Sequence, residues 1–284
     1  MKFGVFVHPK RPKIAVDKIA KKLHAAKVQL SQRDPDIGIV VGGDGSFRYY
    51  GRTLDIPMLF VGVREPYVLG SQSRLAEIFY DDLGRALKDI EAGRYNISEK
   101  SMISININDN SADDILTDVY LERGIFSGCL RYVTSVDIDN NSNRVSSSFT
   151  EFAIGNGVIA SSSFGSSGYF SYIDRLDVER QDKKNPIPSF PNSEIGICHI
   201  LPVYLLRKKN KEKKENGRAI EKYQVRYTIP LHSVVRIKLI RDANARLYGT
   251  TIRSCGIRIG QNDEIRITGS TRIAKIIKLE TIIV

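Results

Sequence analysis

Ile37-Gly38-Ile39-Val40-Val41-Gly42-Gly43-Asp44-Gly45-Ser46 is the stretch on which the fold turns. It opens as a continuous apolar run, the pattern of a strand buried on both faces. It then enters a glycine-rich turn. Glycines let the backbone approach a phosphate closely, and consecutive N–H groups cradle it. Tyr49, Tyr50 and Arg52 follow in a segment that reads as a helix. A helix N-terminus adds a favourable dipole, and Arg52 is placed to reach an anion. Asp44 between glycines is the sharper feature. A carboxylate beside a polyphosphate is repelled unless it binds Mg²⁺ or takes a proton. The competing reading is a structural turn that tolerates an Asp.

Working outward, residues 3–7 (FGVFV) read as a short buried strand. Residues 13–30 place Ile19, Leu23, Ala26 and Leu30 at helical spacing. Residues 56–63 (IPMLFVGV) read as a third strand. Residues 73–92 read as a helix with Leu75, Ile78, Phe79, Leu83, Leu87 and Ile90 on one side, stopped by Gly93. Strands alternating with helices predict a parallel α/β domain. After about residue 98 the pattern becomes alternating and strand-like, in 102–106, 118–121, 132–138, 158–160, 234–240, 253–259, 264–267 and 274–279. Residues 161–171 and 180–193 are rich in Ser, Gly, Asn and Pro and read as loops. The expected organisation is an α/β domain over 1–97, with a parallel sheet and flanking helices, then a β-rich domain over 98–270. Residues 271–284 form a last strand that returns to the first domain or stays with the second.

A chain of 284 residues with 42% hydrophobic and 26% charged residues has ordinary globular composition, long enough to bury one large core or two modest ones. No apolar run approaches the roughly 18 residues of a membrane span. The start, MKFGVFVHPKRPK, reads as a strand and not as a signal peptide. Cys129, Cys198 and Cys255 have no metal spacing and read as reduced, buried thiols of a cytoplasmic protein. The four histidines are dispersed, so no zinc site is expected. Net charge is +11. Much of it lies in residues 207–222 (RKKNKEKKENGRAIEK), a solvated hairpin tip or disordered insertion with no aromatic residue. A nucleic-acid partner calls for basic and aromatic residues interleaved on one face, so the charge is better matched to anionic phosphate substrates.

A second stretch, Asn156-Gly157-Val158-Ile159-Ala160-Ser161-Ser162-Ser163-Phe164-Gly165-Ser166-Ser167-Gly168-Tyr169, runs from a strand into a small-residue turn. It offers hydroxyls and N–H groups to a ligand, and Tyr169 can stack on one. Read by itself it is a flexible serine-rich loop.

Together the two stretches resemble the NAD kinase family. The family's GGDGT motif and the Arg in its following helix correspond to Gly42, Gly43, Asp44, Gly45, Ser46 and Arg52. The family's second loop, DG-(apolar)-(apolar)-x-STPTGSTAY, corresponds without gaps to the stretch from Asn156 to Tyr169. Between them, ILTDVYLERG at 115–124 falls where the family has ALNEVVIxRG. Residues 195–202 resemble a later family strand, and Tyr248-Gly249 stands where the family has Asp-Gly. The order of these matches along the chain is more specific than any one of them.

The resemblance implies an α/β domain followed by a β-rich domain, with substrate in the cleft between them. It implies a transferase that moves a phosphoryl group from ATP, or polyphosphate, to the 2′-hydroxyl of the adenosine ribose of NAD, giving NADP. Asp44 is then the base that takes the hydroxyl proton. Gly42, Gly43, Gly45, Ser46 and Arg52 face the ATP phosphates. Thr117, Asp118, Asn156, Gly165, Ser166, Ser167, Gly168 and Tyr169 stand at the NAD positions. No direct metal ligand is implied, because Mg²⁺ comes with ATP and bridges its phosphates. The family is usually homo-oligomeric.

Departures accompany the match. Thr117 replaces an Asn and so loses the amide's paired donor and acceptor. Asn156 replaces an Asp, and Ser163-Phe164 replaces Pro-Thr. Residues 62–70 (GVREPYVLG) match the family's NxGxLGFL turn poorly. Two alternatives stay open on these grounds. One is a kinase of the same superfamily for another small hydroxyl substrate, a lipid or a nucleoside. The other is a sensor that binds a dinucleotide without phosphorylating it.

Overall fold

A computed structural model describes residues 1–10, 12–64, 73–125, 128–138, 147–176, 189–210, 224–250 and 255–280. Most of the poorly matching 62–70 turn, most of the charged 207–222 segment and part of the 180–193 loop lie outside the described residues. The chain divides into two compact units. One comprises 1–100 and 273–284, the other 101–272.

In the first unit, β1 (Lys2–Val7), β2 (Gln29–Leu30), β3 (Ile37–Gly42), β4 (Met58–Gly62) and β5 (Ile78–Phe79) pair in parallel, in the order β2-β1-β3-β4-β5. Ile276, near the C-terminus, pairs in parallel with Met58 of β4. Alternate residues of a strand face opposite sides. Ile39, Val41, Leu59 and Val61 share a buried cluster with Ile19 and Leu23 of α1 (Val16–Ala25) and with Leu83, Leu87 and Ile90 of α3 (Leu83–Glu91). Phe60 points the other way and stacks on Phe47 of α2 (Asp44–Thr53), ring centroids 4.6 Å apart. Helices therefore cover both faces, as a parallel sheet requires.

Two helices are shorter than their apolar spacing predicts. α1 stops at Ala25 and not at Leu30. Lys27 takes φ +60°, its N–H donates to the His24 carbonyl and the Val28 N–H to that of Leu23, a left-handed C-terminal cap built without glycine. Leu30 is thereby freed to pair with Phe3. The expected helix over 73–92 is helical only as a short turn at Tyr80–Asp82 and as α3. Ile78 and Phe79 pair with β4 instead, because an unpaired strand edge offers backbone partners that outweigh helical propensity.

The second unit is built on two antiparallel sheets. β9 (Leu130–Ile138), β10 (Ser147–Gly155), β13 (Tyr204–Asn210), β15 (Val234–Leu239) and the first residues of β18 (Glu264–Leu279) form one, in the order β13-β10-β9-β15-β18. A hairpin of β6 (Tyr95–Ile107) and β7 (Asn110–Ile115) turns at Asn108-Asp109, both at positive φ. β8 (Asp118–Glu122), β11 (Gly157–Ser161), β12 (Glu194–Ile200), β14 (Arg226–Pro230), β16 (Ala245–Tyr248) and β17 (Ile257–Ile259) form the other, in the order β14-β12-β11-β8-β16-β17. Leu121, Val158 and Ile197 of that sheet share one buried cluster with Tyr132, Val136 and Ile237 of the first.

A polar network crosses this core. Glu151, on β10, is fully buried. Its Oε1 accepts from Arg207 Nε at 3.0 Å and Nη2 at 2.7 Å, and its Oε2 accepts from the Tyr227 hydroxyl at 2.6 Å. His199 Nε2 lies 3.0 Å from the same Oε2, and its Nδ1 lies 2.8 Å from the Tyr132 hydroxyl, which donates to the Gly157 carbonyl at 2.6 Å. Burial alone raises the Glu151 carboxyl, but the bonds from His199, Tyr227 and Arg207 more than offset it and hold it below its ordinary value. A buried charge needs this degree of satisfaction.

Of the cysteines, Cys198 is buried, Cys129 half-buried and Cys255 exposed, so burial was expected correctly for the first and not for the last. Burial pushes the Cys198 thiol up to about 12, which makes it unreactive. Among the described residues no helix is long and apolar enough to cross a membrane.

Candidate active site

β3 ends at Gly42 and α2 begins at Asp44. Gly43 between them is extended, with φ −106° and ψ −178°, and its carbonyl accepts the Ser46 N–H at 2.8 Å. The turn is packed from beneath. A Cβ on Gly42 would lie 2.5 Å from the buried Ser46 hydroxyl oxygen, so only glycine fits there. A Cβ on Gly45 would meet nothing within 4 Å, and Gly45 is exposed. The outer side of the turn is therefore open backbone at a helix N-terminus, the geometry that favours an anion.

Asp44, the first residue of α2, is half-buried, and its Oδ1 accepts the Leu75 N–H at 3.0 Å. The buried Ser73 hydroxyl donates to the Gly42 carbonyl at 3.1 Å. Residues 73–75 thus bring a short strap to the turn. Arg52 does not lie at the turn itself. It sits in the last turn of α2, its guanidinium 5.4 Å from the Tyr49 ring, about 12 Å along the axis from Asp44. Arg48, which the sequence reading did not single out, is one helical turn after Asp44 on the same side.

In the second unit the two remaining motif stretches lie against each other. β8 and β11 pair antiparallel, with Asp118 opposite Ser161 and Glu122 opposite Gly157. The loop after β11 then folds over Thr117. Ser162 N–H donates to the Thr117 carbonyl at 2.7 Å, and a Cβ on Gly165 would lie 2.4 Å from that same oxygen. Asp118 Oδ2 accepts the Tyr169 N–H at 3.2 Å, and Gly168 approaches it closely. Gly249, at φ +99°, is admitted beside the Asp118 carbonyl only because it lacks a side chain. Thr117, Asp118, Gly165 and Ser166 are buried, whereas Ser167, Gly168 and Tyr169 are half-buried and line the accessible side.

Asp118, Tyr120 and Glu122 alternate onto the sheet face opposite the main core. Tyr120 stacks on Tyr248 at 5.4 Å and meets Tyr169 edge-on at 5.1 Å, and Tyr169 meets Tyr172 at 5.7 Å. The Tyr169 hydroxyl donates to Glu122 Oε1 at 2.5 Å. Burial first, and then the Glu122 carboxylate, hold this phenol above its ordinary range, so it stays a donor. Glu122, Tyr120 and Tyr248 were not foreseen as site residues. The period-2 spacing of Tyr120 and Glu122 along β8 was the available signal, whereas Tyr248 reaches the face from β16, where it pairs with Tyr120. Asn156 stands apart. It lies at the opposite end of β11 from Ser161, about 16 Å along the strand, with its N–H on the Ile200 carbonyl and its carbonyl on the Arg123 N–H.

A surface hollow of about 380 Å³ in the first unit is lined by Glu77, Phe79, Asp82, Arg85, Asp89 and Glu280 among others. No motif residue lines it, and its carboxylates do not suit a phosphate.

No family model matches the chain. Curated relatives do. The NAD kinase of Magnetococcus marinus is 30% identical over 141 residues, 47% of this chain and 42% of that protein. The NAD kinase of Clostridium botulinum is 29% identical over 196 residues, 66% of this chain and 62% of that protein. The chain thus spans less than two thirds of the length of either relative. Among solved structures, yeast NADH kinase complexed with NADH superposes with a TM-score of 0.64 at 13% identity, covering 99% of this chain and 83% of that one. The NAD kinase of Archaeoglobus fulgidus in complex with ATP gives 0.61 at 14% identity, covering 99% and 94%. The fold is that of the NAD kinases.

Proposed function

We propose that this chain, a divergent relative of the NAD kinases, is a phosphotransferase that moves a phosphoryl group from ATP, or polyphosphate, to the 2′-hydroxyl of the adenosine ribose of NAD. The observation that carries the reading is Asp44. It sits at the N-terminus of α2, held by the Leu75 N–H, next to open glycine backbone. A helix N-terminus favours the phosphates, while the carboxylate beside them is suited to accept a proton. The solved neighbours hold NADH in one case and ATP in the other, which supports a dinucleotide acceptor and a nucleotide donor.

In this reading Asp44 takes the 2′-hydroxyl proton. The oxygen then forms its bond to the γ-phosphorus while the bond from that phosphorus to the β,γ-bridging oxygen breaks, and ADP departs with the electron pair. The face bearing Thr117, Asp118 and residues 165–169 takes the dinucleotide, and Tyr120 and Tyr248 add ring surface for a base. Mg²⁺ would enter with the nucleotide, carried mainly on the substrate phosphates. Bound there, Mg²⁺ spreads the charge of the transferring group. A cytoplasmic, homo-oligomeric enzyme completes the proposal.

The test uses the purified full chain with ATP, Mg²⁺ and NAD. NADP is the expected product. Asp44→Asn lowers kcat by at least about a hundredfold and leaves ATP affinity within about twofold, because shape is kept and the base is lost. Unchanged turnover in that variant removes Asp44 from its role. NADH, nucleosides and diacylglycerol, run as parallel acceptors, identify a different hydroxyl substrate if NAD fails.

A further inference from the structure

Ser73 is buried yet holds a left-handed backbone, φ +48°, a conformation that favours glycine. Strain of this kind persists only where surrounding contacts impose it. The contacts are specific. The Ser73 hydroxyl donates to the carbonyl of Gly42, the last residue of β3, at 3.1 Å. The Ser73 carbonyl accepts the Ala76 N–H at 3.1 Å, which closes a turn, and the Glu77 N–H then donates to the Phe60 carbonyl of β4 at 2.8 Å. The strap is therefore anchored to β3 at one end and to β4 at the other. Between the anchors, Leu75 aims its N–H at Asp44 Oδ1, 3.0 Å away. Gly42 and Gly62 pair across the two strands, and a Cβ on Gly62 would lie 2.9 Å from that of Ser73. The missing side chain at Gly62 is what lets Ser73 in.

We propose that Ser73 is a positioning residue for the Asp44 carboxylate. Its hydroxyl fixes the strap to the end of β3, and the strap fixes Oδ1 through a backbone N–H that has no rotamer freedom of its own. This rests on the reading of Asp44 as the base.

Two variants test it. Ser73→Ala removes the hydroxyl and keeps the strain, whereas Ser73→Gly removes both. Positioning predicts that kcat falls about tenfold in each, the effect of one lost hydrogen bond, while KM for ATP and for NAD stays within about twofold. It also predicts that Ser73→Gly melts above Ser73→Ala although its kcat is no better. A merely structural role predicts the reverse, with kcat recovering as the melting temperature does, and that result overturns the proposal. Amide hydrogen exchange at Leu75 is a readout that needs no substrate, and it is expected to quicken at least about tenfold in Ser73→Ala. Unaltered exchange there defeats the proposal even if the enzyme is active. Quickened exchange in a protein that makes no NADP defeats the functional reading and leaves the strap standing.

Discussion

The turn at 42–46 and the face around Asp118 are built from different materials. The turn is held by backbone atoms and by glycines, with Gly42 admitting Ser46 and Gly62 admitting Ser73. The face is made of side chains, Asp118, Tyr120, Glu122, Tyr169 and Tyr248, set at alternate positions of paired strands or carried on a loop. A backbone-built site permits few sequences, so its motif stays readable. A side-chain face can change its chemistry without changing its strands. That contrast fits the sequence, in which the stretch 42–46 departs from the resembling motif only at Ser46, whereas Thr117 and Tyr248 on the face each depart from theirs.

The largest expected effect tests the scaffold under the face. Glu151→Gln leaves the Arg207 guanidinium without its carboxylate and is expected to cost about 3 kcal/mol at neutral pH, read by denaturant unfolding. The carboxyl of Glu151 is held below its ordinary value when folded, so its contribution is complete above the ordinary carboxyl range, starts to fall within it and is lost as pH falls through the lowered folded-state value. The stability gap between wild type and variant should therefore narrow as the solution is acidified below the ordinary carboxyl range and close at more acid pH still. A gap that persists there assigns the loss to packing.

Two glycines compared directly sharpen the contrast. In Gly165→Ala the new Cβ meets the Thr117 carbonyl at 2.4 Å, so the loop has to move. The expected cost is about 2 kcal/mol in stability, with KM for the dinucleotide raised about tenfold. In Gly45→Ala the new Cβ meets nothing within 4 Å. Stability should hold or rise slightly, by about half a kcal/mol, while ATP affinity falls as the methyl group enters the open side of the turn. Equal destabilisation of the two variants, measured by thermal melting, breaks the distinction.

The smallest effect is at Tyr169. Tyr169→Phe keeps the ring against Tyr120 and removes only the bond to Glu122, so KM for the dinucleotide is expected to rise about fivefold with little change in kcat. A fall in kcat alone shifts Tyr169 from binding to chemistry.

The sequence carried much of this. The run into Gly42 marked a buried parallel strand, and Asp44 marked the turn, because both depend on local residue type. Motif order matched 115–124 and 156–169 to one family, but their pairing was not legible in it: the structure lays β8 against β11, with Asp118 opposite Ser161. The misses have physical causes. Lys27 ends α1 in a left-handed cap that ordinarily announces itself with glycine. Ile78 and Phe79 suit a helical stripe and a strand edge equally, and tertiary pairing decided between them. Glu151, His199, Tyr132, Arg207 and Tyr227 sit on five strands far apart in the chain, so nothing in their spacing joins them.

One consequence follows for how the molecule comes into being. Residues from 273 onward belong with the first hundred, and Ile276 and Ile277 supply an edge pairing and a core side chain to the first unit. The entire second unit is synthesised before they appear. The turn at 42–46 is translated before the second unit, but the sheet beneath it is completed by residues that follow that unit, so assembly of the first unit is governed by long-range closure.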